Sequence, residues 1–373
     1  MNIAILGAGM VGRTMALDLA TNHTVTSFDL SEKNLELLHS KNNQIICKQA
    51  NLGDYAAYTT LLAPYDYIVL AVPGFMGYNA LEAVIKAGKN TVDISFFPED
   101  ALALDALAKE KQVTVITDCG VAPGMSNYII GYYNKQMDID SFEIYVGGLP
   151  AIRKKPFEYK APFSPVDVIE EYTRPARIFE QGRIVVKPAL TEREWMHFEE
   201  LGTLEAFNTD GLRSLLYTMP HIRNQKEKTL RYPGHVDLII ALKEAGFFSE
   251  SAIDVNGNSI KPIDFTSRIL FNEWKLGADE PEITIMKVIL QGTKNGMPHT
   301  VSASMLDLYD ANTGFSSMSR TTGFTATATV NMLAENLFKK YGVFPPELVG
   351  NEPGCFDFIL KYLLARKVNW VIV

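Results

Sequence analysis

The fold of this 373-residue chain is indicated by its first residues, Asn2-Ile3-Ala4-Ile5-Leu6-Gly7-Ala8-Gly9-Met10-Val11-Gly12. The apolar run before Gly7 is typical of a buried strand, and the GxGxxG stands where a helical pattern begins. In such a turn the first glycine permits a tight bend, the second admits a pyrophosphate, and the third lets helix and strand pack closely. Because a helix N-terminus also attracts anions, we expect a dinucleotide here. The predicted contacts are Gly7, Gly9, Met10, Val11 and Gly12.

Asp29 indicates which dinucleotide binds. It follows Gly7 by 22 positions (29 − 7), at the end of the second apolar run. A carboxylate there accepts hydrogen bonds from an adenosine ribose and repels a 2′-phosphate, so the sequence predicts NAD in preference to NADP. Lys33, nearby, keeps NADP possible. FAD and a purely regulatory nucleotide are the alternatives, and a separate second domain favours a pyridine-nucleotide dehydrogenase.

The segment 2–117 alternates short β-branched runs with helical stretches, a pattern typical of a parallel sheet with crossover helices. It predicts an α/β fold with a Rossmann-type, doubly wound sheet. The predicted strands are Ile3–Leu6, Val25–Phe28, Gln44–Cys47, Tyr67–Ala71, Thr91–Ile94 and Val113–Ile116.

Beyond residue 117 the pattern changes. Alternating strand-like pieces and helices, among them a helix over Gly211–Thr218, predict a second, α+β domain with a mostly antiparallel sheet. A long helix is expected over Arg320–Lys340. We therefore expect three units: residues 1–122 for the cofactor, 123–315 for the substrate, and 316–373 as a C-terminal helix and tail that pack back on the first unit.

The ends of the later strands are where a doubly wound sheet places its ligand. The residues there are small or polar, which lets a cofactor approach the backbone. Cys119 has no histidine in its motif, so we interpret it as packing rather than as a nucleophile. The predicted cofactor contacts at these ends are Ala71, Val72, Pro73, Ser95 and Cys119.

Composition excludes several function classes. Lys and Arg number 35 against 43 Asp and Glu, and the resulting net charge of −8 opposes broad attraction to nucleic acid or anionic lipid. The three cysteines form no CxxC and have no histidine at metal-ligand spacing, so no metal is expected. The start of the chain lacks the pattern of a signal peptide, and no apolar run is long enough for an anchor. We expect a cytoplasmic protein with a small-molecule substrate.

Several ordered motifs carry a resemblance to a known family. They begin with Val-Ala-Pro-Gly-Met-Ser-Asn at 121–127 and Tyr-Val-Gly-Gly-Leu-Pro at 145–150. Further stretches lie at 170–176, 205–211, 229–235, 322–324 and 342–347. Together they span most of the chain, which resembles the saccharopine dehydrogenase superfamily and, within it, the lysine 6-dehydrogenase branch. Saccharopine reductases usually carry an acid where this chain has Ala122.

The resemblance implies oxidative deamination of the ε-amine of L-lysine by NAD, which releases ammonia and an aldehyde that cyclises to a piperideine carboxylate. It also implies an amino-acid substrate and a homo-oligomer. Two alternatives stay open. One is a saccharopine-type or carboxynorspermidine-type reductase that makes or breaks a C–N bond, and the other is a non-catalytic NAD(P)-binding sensor.

Such chemistry requires a base, because hydride loss beside nitrogen needs a neutral amine and a free lysine ammonium has a pKa of about 10.4. The candidates are His235, Asp210 and Asp93. For His235 the alternative is a structural bond to backbone, and for Asp210 it is a helix N-cap. A substrate carboxylate needs a cation with a forked donor pattern. The candidates are Arg213, Arg231 and Arg174, each of which could instead form an ion pair.

Overall fold

The computed structural model describes residues 1–162, 165–277 and 280–373. The strands are β1 (Asn2–Leu6), β2 (Thr24–Asp29), β3 (Ile46–Gln49), β4 (Tyr67–Leu70), β5 (Asn90–Asp93), β6 (Thr114–Ile116), β7 (Asp138–Pro150), β8 (Ala176–Glu180), β9 (Arg183–Lys187), β10 (Glu194–Phe198), β11 (Gly202–Asn208), β12 (Asn224–Arg231), β13 (Ile253–Val255), β14 (Asn258–Ile260), β15 (Glu282–Lys294), β16 (Met297–Leu308), β17 (Gly342–Phe344) and β18 (Trp370–Ile372).

The helices are α1 (Met10–Leu19), α2 (Glu32–Lys41), α3 (Tyr58–Leu61), α4 (Gly74–Lys86), α5 (Asp105–Glu110), α6 (Met125–Tyr133), α7 (Pro165–Thr173), α8 (Leu215–Thr218), α9 (His235–Glu244), α10 (Pro262–Trp274), α11 (Ser317–Ala334), α12 (Pro346–Gly350) and α13 (Cys355–Ala365). Single 3-10 turns at Tyr55–Ala57 and Ala101–Leu104 precede α3 and α5. Among the described helices, none is long and apolar enough to cross a membrane.

The first sheet is parallel throughout, with the order β17-β6-β5-β4-β1-β2-β3. Its inner strands are short and mostly buried because helices cover both faces, and the two faces belong to different hydrophobic clusters. The edge strand β3 is mostly exposed. The predicted Rossmann-type fold is confirmed. The seventh strand, β17, comes from near the end of the chain, where three residues are too few to show a period.

The second sheet is mixed. Its path is β10-β11-β12-β7-β15-β16-β18, in which only β12 and β7 pair in parallel, and β8 and β9 extend it beside β12. The long hairpin of β15 and β16 turns at Asn295 and Gly296, which both have positive φ, as a two-residue hairpin turn requires. The predicted α+β character with a mostly antiparallel sheet is confirmed.

Helix α11 packs against strands of both sheets. It begins after Ser316, whose hydroxyl accepts from the Ser319 amide, and it packs on α1, where Gly323 lets the two helices approach. It ends at Ala334, earlier than the predicted Lys340, because Asn336 takes left-handed backbone with φ 60°. The division into three units at 122 and 315 stays a prediction.

One predicted element is wrong. The helix expected over Gly211–Thr218 is reduced to the single turn α8 (Leu215–Thr218). Arg213 has φ 46°, a left-handed conformation that a helix cannot include, so residues 211–214 form a turn. Asp210 therefore does not cap this helix, and that alternative is excluded.

Candidate active site

The glycine-rich loop has the geometry of a phosphate-binding turn. A Cβ atom on Gly7 would lie 2.3 Å from the Ala71 carbonyl oxygen, and one on Gly12 would lie 2.0 Å from the Gly7 carbonyl oxygen. By contrast, a Cβ on Gly9 would meet no atom within 4 Å, so the backbone there is open to a ligand. The first turn of α1, which starts at Met10, contains no acidic residue to compete for its free amides. The loop fits a dinucleotide.

Asp29 shapes this loop from the end of β2. One carboxylate oxygen accepts from the Ala8 amide and the other from the Ser31 amide, each at 2.7 Å. Arg13 donates to the Ala8 carbonyl oxygen at 3.0 Å. Asp29 thus fixes the turn on which a ribose and pyrophosphate would rest, and its role toward the ribose stays a prediction.

The other predicted cofactor contacts lie at the ends of neighbouring strands, and only some of them line a cavity. Val11 and Val72 line the cavity described below, whereas Ala71 lies behind the loop against Gly7 and Pro73 precedes α4. Ser95 is buried, and its amide donates to Asp93. Its role as a cofactor contact stays a prediction.

Cys119 and Asp93 are both fully buried. The Cys119 sulfur lies 3.0 Å from the Thr329 hydroxyl on α11, and burial raises the pKa of this thiol to about 12. Burial likewise raises the pKa of Asp93 to about 7, against hydrogen bonds from the Ser95 amide and Thr117 hydroxyl. Neither residue lines the cavity described below. The catalytic role of Asp93 and the cofactor contact of Cys119 stay predictions.

A cavity of about 220 Å³ lies between the first sheet and the second. Its cofactor-side wall comes from the glycine-rich loop, the ends of β4, β5 and β6, and the start of α11. Its opposite wall, called the substrate-side wall below, comes from β7, β12, α7 and the turn after β11. The charged and hydroxyl-bearing residues that line it are Asp118, Glu170, Glu171, Arg174, Thr209, Asp210, Glu227, Thr229, Arg231 and Thr322.

Arg231 is a buried guanidinium on the substrate-side wall. It donates to the Glu171 carboxylate at 2.8 Å, to the Leu230 carbonyl oxygen at 3.0 Å and to the Tyr172 hydroxyl at 3.1 Å. Its side chain is 2% exposed. These bonds fix the orientation of the guanidinium, and Arg231 lines the cavity.

His235 does not line the cavity. It lies next to Tyr172, whose hydroxyl accepts from Arg231. Its Nδ1 lies 3.0 Å from the Phe157 carbonyl oxygen, which can only accept, so we assign the ring proton to Nδ1. Its Nε2 then accepts from the Tyr172 hydroxyl at 2.9 Å. Burial, and after it the charge of Arg231, lowers the pKa of His235 to about 3. The ring is therefore neutral near pH 7, and its hydrogen bond to Tyr172 connects it to the residues of the cavity wall.

The remaining predicted site residues form ion pairs. Arg174 pairs with Glu170 along α7, and both line the cavity. Asp210 accepts from Arg177 through both carboxylate oxygens, at 2.9 Å each. Arg213 lies outside the cavity lining and donates to Asp118 at 2.8 Å, which ties the second domain to the end of β6. These ion pairs agree with the structural alternative for Arg174 and Arg213, and a role of either arginine in substrate binding stays a prediction.

Glu227 is the functional candidate that sequence reasoning missed. It is 5% exposed on β12, lines the cavity, and accepts from the Thr209 hydroxyl at 2.7 Å. Burial, with further contributions from Glu171 and Asp210, raises the pKa of this carboxyl to about 8. The polar run Asn-Gln-Lys-Glu-Lys at 224–228 looks like a solvated edge in sequence, and no local signal marks it as buried.

The fold and loop together define a dinucleotide-binding protein with a second domain facing the cofactor. The sequence matches the saccharopine dehydrogenase NADP binding domain over residues 3–116 and the saccharopine dehydrogenase C-terminal domain over residues 120–368. The chain belongs to the saccharopine dehydrogenase family. These matches confirm the resemblance at the level of the superfamily and the pyridine-nucleotide cofactor.

Individual relatives agree with this assignment. A saccharopine dehydrogenase (NADP+, L-glutamate-forming) of Pyricularia oryzae is 26% identical over 269 residues, which cover 67% of this chain and 58% of that protein. A carboxyaminopropylagmatine dehydrogenase of Synechocystis is 20% identical over 94% of this chain and 93% of its own length. The solved apo saccharopine dehydrogenase of Saccharomyces cerevisiae superposes with a TM-score of 0.81 at 18% identity, covering 100% of this chain and 99% of its own.

In sequence the chain spans 58–60% of the length of the fungal relatives that it matches. The family match and the names of these relatives, which are dehydrogenases, agree with the predicted class, an oxidoreductase of a C–N dehydrogenase and reductase family. The lysine 6-dehydrogenase branch, the homo-oligomer and the cytoplasmic location stay predictions.

Proposed function

We propose that the protein oxidises the ε-amine of L-lysine with NAD, releasing ammonia and an aldehyde. The observation that carries this proposal is the charge pattern of the cavity beside the glycine-rich loop. That pattern suits a substrate with an ammonium group and few carboxylates.

The charge pattern follows from the ion pairs. Of the five described carboxyl side chains in the lining, four have a guanidinium partner, in the pairs Glu170–Arg174, Glu171–Arg231, Asp118–Arg213 and Asp210–Arg177. Glu227 forms no ion pair with any described residue. Saccharopine would bring three carboxylates against guanidiniums that are already neutralised, whereas lysine brings one carboxylate and an ammonium. Buried charge is stable only when it is paired, so lysine suits this cavity better.

The chain's residues have separate tasks in this proposal. The glycine-rich loop and Asp29 would hold NAD, which accepts a hydride from the carbon next to nitrogen when it is bound. Arg174 and Arg231 line the cavity and would bind the substrate's α-carboxylate. The two walls would exclude bulk water during hydride transfer. A single water would then add to the resulting iminium carbon, and the C–N bond would break to give the aldehyde and ammonia.

A second candidate is a reductase that joins an amine to a carbonyl compound. The Synechocystis relative, aligned over nearly the whole of both chains, favours it, as do the fungal saccharopine dehydrogenases. It would need a carbonyl co-substrate, and the fold and cofactor would be the same.

The experiment measures the absorbance of reduced nicotinamide and free ammonia at alkaline pH with NAD and L-lysine. Ornithine, saccharopine and NADP run in parallel. NADH and ammonia from lysine alone would establish the deaminase, whereas turnover of saccharopine, or reduction only with a carbonyl partner, would establish the reductase. Tight nucleotide binding without any turnover would make the protein a sensor.

A matched pair of variants tests the substrate side. Arg174→Ala should raise the KM for lysine about tenfold or more while the Kd for NAD stays unchanged. Arg268→Ala, which removes an exposed guanidinium on α10, should change neither value. An unchanged KM in Arg174→Ala would remove this residue from the substrate site.

A further inference from the structure

We propose that Glu227 is the acid–base group of the cavity, and that its carboxylate takes the proton from the substrate's ammonium before hydride loss. This inference rests on the proposed function and adds a catalytic residue to it.

Strand β12 brings the group to the cavity. Successive side chains of a strand point to opposite faces, so Glu227, Thr229 and Arg231 share one face, and all three line the cavity. One strand therefore places a carboxyl, a hydroxyl and a guanidinium in a row opposite the cofactor-side wall. This row could hold the two ends of an amino acid.

The Glu227 carboxylate is held by the Thr209 hydroxyl and the Gly211 backbone amide. Oε2 of Glu227 accepts from the Thr209 hydroxyl at 2.7 Å, and Thr209 in turn lies 2.9 Å from the Thr229 hydroxyl. A Cβ atom on Gly211 would lie only 2.3 Å from Oε2, so the glycine leaves room for the carboxylate. Among the described side chains, only the Thr209 hydroxyl donates to this carboxylate, and Glu227 lines the cavity, so we assign Oε1 to a ligand there.

The charge of Glu227 suits proton transfer. The other described carboxyl groups of the lining are each paired with an arginine. Glu227 lacks such a partner, and burial among carboxylates raises its pKa to about 8. A base whose pKa approaches that of the donor and the working pH transfers protons most effectively.

The step balances without any other reactant. The N–H bond of the ammonium breaks, its electron pair stays on nitrogen, and the proton forms an O–H bond on Glu227, which becomes a neutral carboxylic acid. The neutral amine can then lose a hydride from the adjacent carbon to the oxidised nicotinamide, which oxidises the substrate by two electrons and reduces the cofactor.

The test compares pH profiles of kcat/KM for the amine that the wild-type enzyme oxidises. The wild type should lose activity as the pH falls through about 8. Glu227→Gln should lower kcat/KM about 10²- to 10⁴-fold and abolish this dependence, with an unchanged Kd for NADH as evidence of folding. Glu200→Gln, the same change at an exposed loop position, should keep the wild-type profile.

Thr209→Val provides an independent readout, because it removes the hydrogen bond that favours the ionised carboxylate. The acidic limb of the profile should move to higher pH, which a merely structural role would not produce. If Glu227→Gln does not bind NADH, the shift in Thr209→Val decides the test. A wild-type profile in both variants would overturn the assignment of Glu227 while leaving the proposed function intact. A wild type that oxidises no amine would overturn both.

Discussion

The two walls of the cavity are built in different ways. The cofactor-side wall adjoins a loop shaped by backbone, in which Gly7, Gly9 and Gly12 set the turn, and its lining side chains are mostly apolar. The substrate-side wall is made of side chains, with buried ion pairs and a buried carboxyl held by hydroxyls. A loop shaped by backbone is specified by a short local motif, whereas a wall of paired charges depends on residues distant in sequence.

The largest difference should appear in stability. Arg231→Ala leaves Glu171 and two tyrosine hydroxyls without their buried partner, and we expect it to lower the free energy of unfolding by about 3–5 kcal/mol. Arg174→Ala breaks a pair whose Glu170 is 41% exposed, and it should cost about 0–1 kcal/mol. Denaturant titrations of the two variants measure both values. An equal loss of unfolding free energy in the two variants would show that burial does not distinguish the two ion pairs.

The glycine-rich loop is tested by two alanine substitutions. Gly12→Ala forces a Cβ against the Gly7 carbonyl oxygen and should weaken NADH binding about 100-fold, or about 2.7 kcal/mol, while lowering the melting temperature. Gly9→Ala meets no protein atom, so it should weaken NADH binding while the melting temperature stays within about 1 °C. Fluorescence titration and thermal unfolding separate the effects. Wild-type NADH affinity in Gly9→Ala would contradict the phosphate site.

His235 should give the substrate-side wall a sensitivity to acid. Its folded-state pKa is lowered to about 3 from an ordinary 6.5, so only the unfolded chain binds the proton in between. Stability from this group is present above pH 6.5 and falls by about 1.4 kcal/mol per pH unit as the pH drops toward 3. Denaturant titrations at pH 7, 6 and 5 should show a shallower loss in His235→Asn than in the wild type. The exposed His39→Asn should retain the full slope.

The smallest expected effect concerns Asp29. Asp29→Asn loses a charged acceptor for the Ala8 and Ser31 amides, and we expect NAD binding to weaken by about 1 kcal/mol, a few-fold in Kd. The ratio of NAD to NADP affinity should fall, because the carboxylate no longer repels a 2′-phosphate. An unchanged ratio would mean that Asp29 shapes the turn without selecting the cofactor.

The same contrast explains what could be predicted. The first sheet and its loop follow from apolar runs and glycine spacing, which are local. Strand β17 could not be predicted, because its three residues acquire meaning only beside β6. The turn at Arg213 was missed since its left-handed backbone is supported by a buried pair with Asp118, far away in sequence. Glu227 looks exposed in sequence because only the fold supplies Thr209 and the cavity around it.

The position of β17 has a consequence for synthesis on the ribosome. Strand β6, whose three residues are fully covered in the finished molecule, ends at residue 116, and its partner β17 begins 226 residues later (342 − 116). At about 5–20 residues per second, translation leaves this apolar edge unpaired for about 10–45 s. An open edge of this kind is a template for wrong strand pairing, so the nascent chain is most exposed to aggregation while its second half is being made.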